Sequence, residues 1–307
     1  MLITVDKVLK EFDSKTIKKV KKMKFIGVDG YDVYNLTAPF LDEGKYILAG
    51  RVERRDSENS IIGFFEEIEP DVWSLIIDYP TFELQDPYVS FIGGDLVLGG
   101  TKISPCLDNP KQLCWHAEKL KGSSVRELKS FFEGPKGMKD IRLAELNNGE
   151  IVILSRPQGE KGGRGKIGVD TCSNLNALTK DLIDNAPLLE QFNDEEWGGG
   201  NEIHILSDDL IGVLGHVANF DNEDNRHYYP MIFTYNLKTK KQTPIEIICK
   251  REFLEPGESK RKDLEDVLFS GGLIRNSDGT ATLYTGVSDC ESHYAVIEDP
   301  FTKHEEV

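Results

Sequence analysis

The sequence predicts an all-β protein, a five-bladed β-propeller with a central pocket, and three observations carry the prediction. A polar residue at the head of an apolar run returns four times, at Asn35, Asp86, Asp140 and Glu202, in steps of 51, 54 and 62 residues. A fifth run, residues 270–274, has no charge at its head. Each run is followed by a turn signal and a second β-type run, so the chain spells a hairpin five times over. Repeats of this length, rich in strands and turns, are the sequence form of a propeller. The first strands of such blades converge on one axis, which gathers three carboxylates and an Asn around one pocket.

In the first repeat, residues 30–35 lead to the turn Asp42-Glu43-Gly44 and the run 46–50, with 60–65 behind. The second opens at 84–88 and turns at Gly93-Gly94 into 95–98. Residues 124–132 then read as one or two amphipathic helical turns between blades. The third repeat runs from 139–142 through Asn147-Asn148-Gly149 into 150–154, with 167–170 beyond. In the fourth, 200–203 turns at Ser207-Asp208-Asp209 into 210–214, followed by 230–235. The fifth pairs 270–274 with 281–284 across Asp278-Gly279 and ends in 293–297. No linker is long enough to divide the chain, so residues 1–307 read as a single domain.

Apolar residues make up 39% of the chain, enough for a real core. Lys and Arg number 37 against 53 Asp and Glu, a formal net charge of −16. That charge repels phosphate backbones and anionic bilayers, so neither nucleic acid nor a membrane is an expected partner. Only the first 24 residues run basic, from Lys15 to Lys24, which reads as a solvated face. No apolar stretch approaches a membrane span, and the first residues lack the apolar core of a signal peptide. The five cysteines are odd in number and form no CxxC pair, which fits free thiols in a reducing cytoplasm. A cytoplasmic location is the expectation.

The motifs, taken in order, resemble glycoside hydrolase family 130. Tyr34-Asn35 followed by Arg51, Glu53 and Ser60 is similar to that family's first blade, and Gln85-Asp86-Pro87-Tyr88 to its Glu-Asp-Pro-Arg segment. Lys139-Asp140-Ile141-Arg142 with Arg156 behind it resembles the third blade, and the run ending in His216 a strand of the fourth. Residues 283–289, ending in Asp289, resemble the closing blade. The resemblance touches all five blades, and implies membership of that family or of a sister family. It implies β-mannosides as substrates, cleaved by phosphorolysis or hydrolysis with inversion, and no cofactor or metal.

Such chemistry needs a proton donor on the leaving oxygen and an attacking oxygen on the opposite face. The resemblance makes Asp86 the acid, its proton passing through a substrate hydroxyl. Phosphorolysis further requires cations to hold inorganic phosphate, and Arg156 and His216 match two such positions. The family's phosphate-binding Lys aligns with Glu202 here. A carboxylate there repels phosphate and could deprotonate water, so the expectation is an inverting hydrolase with Glu202 as base. Asp140 is the alternative base or the orienting partner of Arg142, and Glu202 could equally pair with Arg156 or Arg142. Asn35 heads the first blade. Arg51 and Glu53 either bind sugar hydroxyls or form a salt bridge within the blade, and Asp289 either binds substrate or caps the last blade. Tyr88 replaces the motif's Arg, and a Tyr can stack on a sugar ring. The aromatic residues Trp115, Trp197, Tyr228 and Tyr229 read as loop residues able to do the same.

Residues 159–166 imitate a phosphate loop but miss its first Gly and its Ser or Thr, so they read as a rim loop where Arg164 or Lys166 can touch substrate. Cys114-Trp115-His116 lacks further zinc ligands. The expected partners are an oligosaccharide and, in the phosphorolytic alternative, inorganic phosphate. A propeller that binds sugar without turning it over is the reading from a different class.

Overall fold

The computed structural model describes residues 4–106 and 109–305. Strands dominate it, and they form five antiparallel meanders in chain order. The first contains Asp32–Tyr34, Lys45–Glu53, Ser60–Glu69 and Val72–Leu75. The second contains Gln85–Ile92, Asp95–Pro105, Leu113–Gly122 and Lys129–Glu133. The third is Lys139–Glu145, Ile151–Arg156 and Gly168–Cys172, and the fourth Trp197–Ile205, Leu210–Phe220 and Arg226–Asn236. The fifth is Asp266–Arg275, Thr280–Val287 and Glu291–Glu298, and the N-terminal strand Ile17–Lys22 pairs antiparallel with the last of these.

The turns are tight because their residues accept left-handed backbone. Glu43 and Gly44 have φ of 46° and 82°, and Gly93 and Gly94 have 61° and 82°, the two-residue geometry that matches strand twist. Strand alternation then sends successive side chains to opposite neighbours. Leu96 and Leu98 pack with Ile47, Ile62 and Phe64 of the first meander, while Val97 between them packs with Ile141 and Leu143 of the third. Val152 and Leu154 meet Val213 and Phe233 of the fourth, and Leu214 and Ile232 meet Leu268 and Leu283 of the fifth. Val33, Leu36 and Leu48 complete the series, with Tyr284 and Tyr294 of the fifth meander against them. Fully burying each such side chain is worth roughly 1.5–3 kcal/mol.

Several expectations are corrected. Residues 124–132 make one 3-10 turn, Val125–Glu127, and then the strand Lys129–Glu133, because their apolar residues cap the second meander's edge. The five cysteines are not all thiols. Cys106 and Cys114 flank the tip of a hairpin whose strands bring their Cα atoms to 5.0 Å, and they form a disulfide, while Cys172, Cys249 and Cys290 are free and buried. Trp115, Trp197, Tyr228 and Tyr229 lie on strands, not in loops. The basic N-terminal run is an exposed face, as expected, and it carries ion pairs such as Lys18 with Glu298 and Lys22 with Glu291. Among the described residues no helix is long and apolar enough to cross a membrane.

Candidate functional site

The first strands of the second to fifth meanders each slip register against their hairpin partner near the head: between Gln85 and Tyr88, Lys139 and Arg142, Gly200 and Glu202, and Ser270 and Gly272. A bulge sets two residues opposite one and re-aims the side chain it holds. Asp86 and Asp140 sit in these bulges at φ 53° and 48°, Asn35 follows the short strand Asp32–Tyr34 at 49°, and Asp289 lies at 54° in the turn after Thr280–Val287. Left-handed backbone strains most residues and Asn and Asp least, so these positions select Asn or Asp twice, for conformation and for chemistry. All four line one cavity of about 340 Å³ together with Arg51, Arg156 and His216.

Asp86 is held on one side of this cavity. Its Oδ1 accepts from Asn35 Nδ2 at 2.8 Å and from Arg51 Nη1 at 3.2 Å. Burial pushes its carboxyl up, but Arg51, Lys139 and the Asn35 hydrogen bond overcome this and keep it below the usual range. Arg51 is itself fixed by Glu53, whose Oε2 accepts from Nε at 3.0 Å and Nη2 at 2.5 Å. Gly286 makes room for Asn35, since a Cβ there would lie 2.0 Å from its Oδ1. Asp289 differs from Asp86: burial raises its carboxyl to about 6, with Arg51 opposing and Asp86 reinforcing the shift. The cavity thus presents two carboxyl groups that titrate apart.

The third and fourth meanders supply the cations. Asp140 accepts from Arg142 Nη2 and Arg156 Nη1, both at 2.9 Å, and these guanidiniums outweigh burial to hold it far below the usual carboxylate range. Arg156 Nε donates to the Gly198 carbonyl at 2.9 Å. His216 Nδ1 bonds Asn201 Oδ1 at 2.8 Å, and its Nε2 is buried without a partner among the described residues. Burial, aided by Arg156, lowers the imidazole to about 3, so His216 is neutral near pH 7. Lys139 lines the same cavity and makes no ion pair among the described residues.

Seven of the ten residues singled out from sequence therefore line one cavity: Asn35, Arg51, Asp86, Asp140, Arg156, His216 and Asp289. Glu53 and Arg142 stand behind it as supports. Glu202 is outside its lining; Oε2 accepts the Leu273 N–H at 2.6 Å and lies 3.1 Å from His204 Nε2, tying the fourth meander to the fifth. The bulge displaces the count by one, so Asn201 stands in it, buried behind the cavity against His216 Nδ1. Tyr88 is buried with Lys119 Nζ and Arg142 Cζ at 4.4 and 4.7 Å from its ring centroid, so its ring packs on cations and not on sugar. Sequence reasoning missed Lys139, though it stands beside Asp140 in the quoted motif, and Gln85, Glu58 and Arg261, which also line the cavity.

Residues 10–303 match the model of a protein family described as a protein of unknown function, DUF1861. No curated protein matches the chain. Among solved structures, the mannose phosphorylase MPT-4 from Leishmania mexicana, in complex with phosphate ion, is 31% identical with a TM-score of 0.90, covering 97% of this chain and 94% of its own. The GDP-Man-dependent mannosyltransferase MPT-1 from Leishmania mexicana is 29% identical, with a TM-score of 0.88 and coverage of 98% and 96%. The β-1,2-mannobiose phosphorylase from Listeria innocua, in complex with β-1,2-mannobiose, is 16% identical with a TM-score of 0.64, covering 90% and 93%. At that identity the likeness is one of fold.

Proposed function

Because this chain belongs to the DUF1861 family, a sister of the family 130 enzymes it resembles, we propose that it is an inverting β-mannoside phosphorylase. In this reading the five meanders are the blades of one five-bladed β-propeller over residues 1–307, closed where Ile17–Lys22 joins the last sheet. The observation that carries the reading is the cavity wall built by the third and fourth meanders. It offers Lys139, Arg156 and the bare Nε2 of a neutral His216, and its one carboxylate, Asp140, is held by two guanidiniums. That wall suits an oxyanion and has no group to deprotonate water: Asp140 is too acidic, a histidine at about 3 is too weak a base, and Glu202 is turned away.

The mannosyl unit lies against Asp86 and Asp289, with Arg51 and Asn35 fixing hydroxyl groups and Asp86. Asp86, ionised in the open cavity, takes up a proton as the sugar and phosphate displace water from it, and delivers that proton through a sugar hydroxyl to the leaving oxygen. Phosphate held by Arg156 and Lys139 attacks the anomeric carbon from the other face, giving α-mannose 1-phosphate. His216 Nε2 accepts a hydrogen bond from the P–OH of monohydrogen phosphate, which orients the attacking oxygen. The proton shed by that phosphate replaces the one Asp86 gave up. The phosphate-bound phosphorylase among the similar structures supports this reading.

The test is an NMR time course with β-linked mannobiose and mannosyl-glucose, with and without phosphate. Mannose 1-phosphate, formed only with phosphate, is the expected product. Free mannose released equally in both samples would instead establish a hydrolase, and binding without turnover a sugar-binding propeller.

A further inference from the structure

Beside the central cavity, and sharing Lys139, Arg156, Arg226 and Tyr228 with it, lies a second cavity of about 500 Å³. Among the described residues no carboxylate lines this annex, although the chain carries a net charge of −16. Arg156 and Arg226 are neutralised by Asp140 and Asp263. Arg164, which lines only the annex, makes no ion pair among the described residues; its guanidinium rests 4.7 Å from the Phe220 centroid and 5.4 Å from that of Trp197. Those rings are fixed in turn, for Trp197 packs at 4.8 Å on Phe220 and its indole N–H donates to Tyr228 Oη at 2.9 Å. A guanidinium held on aromatic faces is pre-organised and keeps its N–H edge free. The indole N–H of Trp115, also in the lining, lacks an acceptor among the described residues.

We propose that the annex is a second anion site, which takes a phosphate group carried by the sugar substrate itself. The proposal rests on the phosphorylase reading for the direction the sugar faces. The attacking phosphate belongs beside Arg156, Lys139 and His216 in the central cavity, across the sugar from Asp86, and Arg164 is not part of that lining. Lys139, at the shared edge, faces both. An unpaired guanidinium, a nearby ammonium and an indole donor spread around one space fit a tetrahedral phosphate better than a planar carboxylate. The aromatic wall of Phe220 and Tyr228 gives the attached sugar an apolar face to lie on. The substrate class is thus a phosphorylated sugar, either a phosphomonoester acceptor or a nucleoside diphosphate donor.

Two measurements test this. Calorimetric titration of mannose 6-phosphate in saturating inorganic phosphate, and of GDP-mannose without it, reads the annex without turnover. Binding of either one, weakened about tenfold in Arg164→Gln and partly restored in Arg164→Lys, is the expected result and identifies the source. Absence of binding by both overturns the proposal, even if neutral mannosides are phosphorolysed. In the synthetic direction, with mannose 1-phosphate as donor, kcat/KM for mannose 6-phosphate as acceptor exceeds that for mannose, and the ratio falls toward one in Arg164→Gln. A ratio that Arg164→Gln leaves unchanged counts against the annex. Binding without any turnover would sink the phosphorylase reading and leave the anion site standing.

Discussion

Asp86 and Asp289 are the same residue type in one cavity, separated by what surrounds them. Asp86 has a guanidinium and an amide on its oxygens, whereas burial dominates at Asp289. Asp86→Asn keeps the shape and removes the carboxyl that relays the proton, so turnover should fall by about 10²–10⁴ while sugar affinity, measured by calorimetry, stays within a few-fold. Asp289 has a folded value near 6, above its unfolded one, so the native state holds the extra proton and its contribution to stability fades as pH rises from about 4 through 6. Urea midpoints should therefore drop in the wild type relative to Asp289→Asn across that window. A constant difference between the two curves would show that Asp289 is an ordinary carboxylate. Most of these side chains were legible in sequence because Asn and Asp at strand heads mark both a left-handed residue and a polar site. Glu202 misled because a bulge is invisible in sequence, and one extra residue exchanges the faces on which Asn201 and Glu202 stand.

Among the elements, the connection between the fourth and fifth meanders does more than link strands. Lys260 donates its backbone N–H to the Ser288 carbonyl at 2.9 Å, one residue before Asp289. Its Nζ bonds Glu53 and the Ser57 carbonyl, and Glu53 holds Arg51, which holds Asp86. One residue thus steadies the supports of both carboxyl groups. Lys260 and Glu53 are both buried pair members, with side chains 5% and 1% exposed. Lys260→Met removes one of the two cations on buried Glu53, which keeps Arg51, a loss of about 1–3 kcal/mol by denaturant titration. Replacing both, as Lys260→Met with Glu53→Gln, should cost less than the sum of the two single changes. Additive losses would mean that the two do not act as a pair. Nothing in sequence pointed to Lys260, because 207 residues separate it from Glu53. The hairpins, by contrast, were legible from local turn chemistry alone.

For the whole molecule, the five meanders share five apolar clusters, one for each neighbouring pair, the first and last included. The repeat showed this in sequence through the spacing of its hairpins. The role of Ile17–Lys22 was hidden, since its basic residues read only as a solvated surface and its strand partner lies at the other end of the chain. Its exposed pair, Lys18 with Glu298, contributes little, and much of the strand's worth lies in its backbone ladder. Val20→Pro, opposite Ala295, should interrupt that ladder and cost about 3 kcal/mol, with a lower thermal midpoint and a Glu291–Glu298 edge open to aggregation. An unchanged midpoint would show that the strand is dispensable.

That pairing also sets an order of events during synthesis. The strand at 17–22 leaves the ribosome well before its partner at 291–298. Four meanders can form in sequence, each on the one before, while the first segment waits beside an unfinished neighbour. The nascent chain therefore carries an unsatisfied strand until all five meanders have been made, and closure joins two segments far apart in sequence.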